Sequence, residues 1–169
     1  MLHTIWQRVS RACATLPRVR DGVALLAGAA AFAGIAALVG TNLLDWSPLG
    51  APQLALLAVR AFFVPAFGEE LVFRAALVPG QGESARPLAW IALSTALFTG
   101  WHVVETTFLP NSAATFLRAD FLALAATLGL LCAVLRWRSG SIWTAVTLHW
   151  LVVVAWQGWF GGPRFGAPS

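Results

Sequence analysis

The chain has 169 residues, of which 59% are hydrophobic and only 11% are charged. Soluble domains carry about 25% charged residues, so this composition excludes an ordinary soluble protein and indicates a membrane protein. The formal net charge of +4 is interpreted as a signal of membrane topology and not of nucleic-acid binding. Cys13 and Cys132 are isolated, and they predict neither a disulfide framework nor a cysteine-based metal site.

Residues 1–20 predict an amphipathic helix at the membrane interface. Arg8, Arg11, Arg18 and Arg20 alternate with apolar residues at helical spacing. A cleaved secretory signal and a transit peptide are the alternatives. The apolar run that follows is too long for the hydrophobic region of a signal peptide and lacks a convincing cleavage site, which favours an uncleaved anchor.

Five apolar segments follow this helix, and each reaches or approaches the roughly 20 residues that a helix needs to cross the hydrocarbon core. They are residues 22–44, 54–78, 88–109, 119–135 and 142–160, with linkers rich in Pro, Gly and polar residues. The predicted fold class is therefore all-α, a polytopic transmembrane helix bundle of about five spans. We divide the chain into the segment 1–20, a single transmembrane domain 21–162 and a short tail 163–169.

The arginines between the segments predict the orientation of the bundle. Cytoplasmic segments of membrane proteins carry an excess of basic residues, and a cytoplasmic N-terminus gives the larger number here. It places seven arginines inside and two outside, namely Arg8, Arg11, Arg18, Arg20, Arg86, Arg136 and Arg138 against Arg118 and Arg164. We therefore expect an integral, multi-pass protein of the bacterial inner (cytoplasmic) membrane, with its N-terminus inside and its C-terminus outside.

The second apolar segment contains three ionisable residues, Glu69, Glu70 and Arg74. Each costs about 2.5 to 3.5 kcal/mol at the bilayer centre, so the group needs a functional or structural reason. Arg74 follows Glu70 by four residues on the same helical face and can neutralise it. Glu69 is rotated by about 100° and remains free for chemistry. Pro65 and Gly68 precede the pair, and we expect the proline to kink the helix beside Glu69.

The third and fifth segments each place a histidine at membrane depth. His102 shares a polar stripe with Thr95, Thr99 and Glu105, and Glu105 could orient its imidazole from three residues away. A histidine satisfied by a threonine or by a backbone carbonyl is the structural alternative. Deep in lipid the functional interpretation is favoured, and it applies equally to His149 in the last segment.

Two chemistries fit a free glutamate and two histidines on three different spans. In the first, Glu69 is a general base that activates a water, His102 positions that water, and His149 donates to the developing oxyanion. In the second, Glu69, His102 and His149 bind a zinc ion that keeps an open position for water. The residues alone leave both open, because both need the same side chains to converge.

The ordered motifs Glu69-Glu70-x-x-x-Arg74, Phe98-x-x-x-His102 and a late-span His149 resemble the CPBP intramembrane proteases, also called the CAAX-protease and bacteriocin-processing or Abi family. The resemblance implies an intramembrane glutamic endopeptidase without a cofactor. Glu69, His102 and His149 would be catalytic, and Glu70 and Arg74 would support Glu69. The family commonly has Asn or Asp four residues after the last histidine, where this chain has Val153. Trp150 or a backbone group would then have to replace that oxyanion donor.

The resemblance implies that 21–162 is a catalytic domain. The expected partners are a protein or peptide substrate within the membrane and the lipid bilayer itself, and no nucleic acid is expected. The small chain with a His-Trp ending is also similar to the branch of the family that is linked to C-terminal sorting signals in bacteria. A non-catalytic transporter or scaffold, with the charged residues as an ion network, is the alternative from another class. Val153 gives that alternative some support.

Overall fold

The structure is a computed structural model that describes residues 2–163, without the side chains of residues 2–4 and 110. Every regular element in this range is helical, which confirms the all-α fold class. The predicted tail falls almost entirely on residues 164–169, outside the described residues. The helices are α1 Leu2–Ala14, α2 Val19–Val39, α3 Ala51–Ala61, α4 Pro87–Glu105, the short α5 Ala113–Phe116, α6 Ala119–Ser139 and α7 Trp143–Trp159, with 3-10 turns at Thr41–Leu43 and Pro110–Ser112.

The chain does not leave the helical path where α3 ends. It continues through wider π-helical turns at Phe62–Glu69 and Leu71–Ala76, so residues 51–76 form one continuous helical segment. Pro65 lies inside the first of these stretches. A proline has no N–H to donate, and its ring collides with the preceding turn of an α-helix. The sequence predicts a kink at Pro65, and the structure has π-helical turns around this residue, which are typical of functional sites.

Helix α6 is the centre of the bundle and packs against α2, α4 and α7. The π-helical segment packs against α7, and α1 packs against residues 71–76. Large apolar side chains such as Val23, Leu26 and Leu38 of α2 remain exposed. Exposed apolar faces of this size are what a lipid environment requires.

Three helices, α2, α4 and α6, are long and apolar enough to cross a membrane. Residues 51–76 form a helix interrupted by π turns, and α7 has 17 residues, or roughly 25 Å of helix. The chain is therefore an integral membrane protein, and five spans remain the prediction. The predicted apolar segment 22–44 extends beyond the end of α2, because the chain stays apolar after the helix ends at Gly40. In the connection that follows, the Leu43 carbonyl accepts a hydrogen bond from the Trp156 indole at 2.9 Å.

Successive connections lie at opposite ends of the bundle. At one end α1 meets the α6–α7 turn, where the Ile142 N–H donates to the Ala12 carbonyl at 3.0 Å and the Trp143 indole to the Cys13 carbonyl at 2.9 Å. At the other end the α2–α3 connection pairs with the end of α7, where the Asp45 N–H donates to the Phe160 carbonyl at 3.1 Å. This alternation agrees with helices that cross the bilayer in turn.

Candidate active site

Glu70 and Arg74 form the ion pair that their spacing predicts. Arg74 Nη1 lies 3.2 Å from Glu70 Oε1, and both side chains are fully buried. Arg74 also donates through Nη2 to the Gly129 carbonyl at 3.1 Å, and its guanidinium carbon lies 4.0 Å from the centre of the Phe98 ring. A buried cation needs this number of partners, because an unpaired charge at this depth is strongly destabilising.

Glu70 has a second partner that sequence spacing did not reveal. Nδ1 of His149 lies 3.0 Å from Glu70 Oε1. A carboxylate only accepts, so Nδ1 carries the proton and donates it to Glu70. The other ring nitrogen, Nε2, is then directed to Glu69, whose Oε2 is 4.0 Å away. Glu70 therefore fixes both the orientation and the tautomer of His149, a contact across 79 sequence positions.

Glu69 differs from Glu70 in its surroundings. Its side chain is 13% exposed, and its Oε2 has no hydrogen-bond partner among the described residues. The 4.0 Å gap to His149 Nε2 is too long for a direct hydrogen bond. It is a separation that one water, bonded to both groups, can bridge.

His102 is held by the backbone and by aromatic rings. Its Nδ1 donates to the Phe98 carbonyl at 2.9 Å, which leaves Nε2 as the nitrogen available for other partners. The rings of Phe98, Phe116 and Phe121 pack against the imidazole with centroid distances of 4.9, 5.7 and 5.3 Å. These contacts fix the ring at the wall of a cavity that Glu69 and His149 also line.

The described contact that orients His102 is the one with the Phe98 carbonyl, and Glu105 has no described hydrogen bond to this imidazole. Its side chain interacts instead with Glu69 and with Trp101. Trp101 also interacts with Glu69, so its indole lies close to two neighbouring carboxyl groups. Sequence reasoning missed Trp101, although its place directly before His102 on a polar helix was an available signal.

A cavity of about 1100 Å³ connects these side chains to the end of the bundle opposite α1. Its wall is largely apolar and comes mainly from α2, α3, α6 and α7, and Leu43, Leu49 and Phe160 mark its outer part. Glu69, His102, Glu105 and His149 line the same cavity, together with Arg60, Gln53 and Gln157. An apolar cavity with a few converging polar groups is the usual form of a substrate site.

The position four residues after the last histidine contributes no polar group to this cavity. Val153 lines the wall with an apolar side chain. Trp150 does not replace the missing donor, because its indole N–H already donates to the Ala58 carbonyl at 2.8 Å. Trp101 is the indole that lies beside Glu69.

The zinc alternative would need its proposed ligands to lie closer together than they do in this structure. Two ligands of a tetrahedral zinc ion at 2.0 to 2.1 Å are about 3.3 Å apart. His149 Nε2 and Glu69 Oε2 are 4.0 Å apart. Throughout residues 2–163, no three His, Cys, Asp or Glu side chains are arranged to hold a metal ion.

The fold and the site together define a polytopic membrane protein with a buried glutamate–arginine–histidine cluster inside its helix bundle. The family model described as type II CAAX prenyl endopeptidase Rce1-like matches residues 51–155, more than half of the chain, and the chain belongs to this family. The match confirms the resemblance and spans the helices that carry Glu69, His102 and His149. It is a family of proteases. Comparisons with curated proteins and with solved structures gave no significant match.

Proposed function

We propose that this protein is an intramembrane endopeptidase that hydrolyses a peptide bond in a membrane-embedded or juxtamembrane segment of a protein substrate, with a water activated by Glu69. One observation carries the proposal. The partnerless Oε2 of Glu69 lies 4.0 Å from Nε2 of His149, at the wall of an apolar cavity. Family membership supports the peptidase class.

In the proposed reaction a water bonded to Glu69 attacks the carbonyl carbon of the substrate. Glu69 takes one proton from this water as the C–O bond forms and the carbonyl oxygen becomes an oxyanion. The intermediate then collapses, the C–N bond breaks, and Glu69 returns the proton to the leaving amine. One peptide bond and one water are consumed, and a carboxylic acid and an amine are released.

The two histidines have different tasks in this scheme. His102, fixed through Nδ1 to the Phe98 carbonyl, uses Nε2 to position the water. His149 contacts the oxyanion through Nε2, which donates when the ring carries both protons, and Glu70 accepts from Nδ1 in either state. Trp101 contacts Glu69 and so helps to hold this carboxylate in place, whereas Val153 supplies no donor to the cavity.

The orientation proposed for the bundle is a cytoplasmic N-terminus in the bacterial inner membrane. Reporter fusions after Arg138 and after Ser169 should then report opposite sides, because one more span separates the two points. A fusion after Glu83 serves as the matched control and should report the same side as Arg138. Signals from one side at both Arg138 and Ser169 would contradict the five-span arrangement.

Catalysis by Glu69 needs no metal, so proteolysis by the purified protein should survive exhaustive chelation. Metal content is measured on the same sample, and a zinc-dependent protease treated in parallel controls for the chelator. Stripping a zinc enzyme removes both the Lewis acid and the activated water. Activity that falls with chelation and returns with one equivalent of zinc would replace the glutamate mechanism by the metalloprotease alternative.

A further inference from the structure

Four charged side chains form a separate group at the end of the bundle that carries α1. Arg8 Nε and Arg11 Nη2 lie 3.4 and 3.2 Å from the carboxylate oxygens of Glu83. Arg136, from the last turn of α6, interacts with all three of these residues. The Gly80 N–H also donates to Glu83, at 3.1 Å. The group therefore joins α1, the connection before α4 and the end of α6.

The charges in this group do not balance. Arg8 and Arg11 pair with the carboxylate of Glu83, and Arg136 lies close enough to be influenced by all three charges, so three guanidinium groups face one carboxylate. Arg136 is only 1% exposed, and its Nε and Nη1 have no hydrogen-bond partner among the described residues. An arginine keeps its charge in proteins, so its buried donors need an acceptor. The missing acceptor is anionic, because the group already has an excess of positive charge.

The group is open on one side. The exposed fraction of the side chain is 63% at Arg11, 24% at Glu83 and 17% at Arg8. Arg136 is the most buried of the four residues. Trp6, on the same helix as Arg8 and Arg11, is 70% exposed. An amphipathic helix with an exposed tryptophan is typical of a segment that lies at the level of the lipid headgroups.

We propose that Arg8, Arg11 and Arg136 bind a phosphate oxyanion, carried by the headgroup of an anionic phospholipid. The forked guanidinium matches phosphate oxygens in pairs, and basic pockets between helices on the cytoplasmic side accept such headgroups. The free Nε and Nη1 of Arg136 are the inner donors, and Arg11 is the outer one. This site is independent of the proposed proteolysis, since none of its residues lines the cavity of the candidate active site.

The test measures the unfolding temperature of the purified full-length protein in detergent during titration with short-chain phosphatidylglycerol. Phosphatidylcholine and inorganic phosphate are titrated separately. We expect phosphatidylglycerol to raise the unfolding temperature, since a ligand of the folded state stabilises it by mass action. Arg11→Gln should weaken the apparent affinity about fivefold, and Arg136→Gln by tenfold or more. Arg138→Gln, which removes an exposed charge from the same helix turn, is the matched control and should leave the affinity unchanged.

Each outcome decides a part of the proposal. Equal weakening by Arg138→Gln and Arg11→Gln would mean nonspecific attraction and would overturn the site. An effect of inorganic phosphate as large as that of phosphatidylglycerol would keep the phosphate site but overturn the lipid as its source. If Arg136→Gln does not fold, Arg11→Gln at the exposed rim still provides the comparison. No rise with any of the three ligands would reject the proposal.

Discussion

Glu69→Gln should abolish cleavage while the protein still inserts and folds. The amide keeps the shape of the side chain but cannot accept the proton from water, and loss of a general base typically costs 10²- to 10⁴-fold in rate. Oε2 of Glu69 has no hydrogen-bond partner among the described residues, and the amide keeps an oxygen that can accept from Trp101, so we expect the variant to fold. The measurement is cleavage of a membrane substrate by the purified variant, with the unfolding temperature recorded on the same preparation.

A matched control removes a carboxylate elsewhere. Asp120→Asn neutralises an acid that pairs with Arg118 at the N-terminus of α6, and this variant should keep its activity. A Glu69→Gln protein that cleaves at the rate of the original chain would remove Glu69 from the role of base. It would also strengthen the non-catalytic alternative in which the charged residues form only an ion network.

Glu70→Ala and Arg74→Ala should both lower the amount of folded protein in the membrane. Each leaves the other charge buried without its partner, at a cost of about 3 to 5 kcal/mol in the free energy of unfolding. The double variant should recover part of the accumulation, because no charge is then stranded. It should not recover cleavage, because His149 loses the carboxylate that orients its ring at 3.0 Å.

This set of variants separates two roles of Glu70. Accumulation and unfolding temperature report the ion pair with Arg74, and cleavage per folded molecule reports the contact with His149. Arg74→Lys is the conservative comparison: it keeps the charge but gives up the bond to the Gly129 carbonyl, and should fall between the original chain and Arg74→Ala. Full activity in the double variant would show that Glu70 has no part in positioning His149.

The helical fold and the partition of the acidic pair followed from the sequence because both depend on local periodicity. Apolar runs of span length predict membrane helices, and a four-residue interval puts Glu70 beside Arg74. Both rules need only the neighbourhood of a residue. Glu70 and Arg74 still form their ion pair, although the segment is π-helical over Leu71–Ala76.

The contacts that shape the site depend on how distant helices meet, and for these the sequence was a poorer guide. Glu105 lies three residues after His102, yet it turns towards Glu69 and Trp101. The sequence suggests Trp150 as a free hydrogen-bond donor for the oxyanion, but in the fold its indole N–H donates to the Ala58 carbonyl. Residues 22–44 similarly run past the end of α2, since Leu43 and Leu44 are apolar in a connection that packs on α7.

The ion pair between Glu70 and Arg74 lies within one helical segment, and this has a consequence for biosynthesis. Residues 51–76 carry Arg60 and Arg74 against Glu69 and Glu70, so this part of the chain is electrically neutral when it leaves the ribosome. It can enter the membrane with its charges already matched. The Gly129 carbonyl is synthesised 55 residues after Arg74, and His149 follows Glu70 by 79 residues. Under the proposed mechanism, a nascent chain would therefore hold Glu69 in the bilayer before His149 has been made, and proteolysis would begin only once the last helix has been inserted.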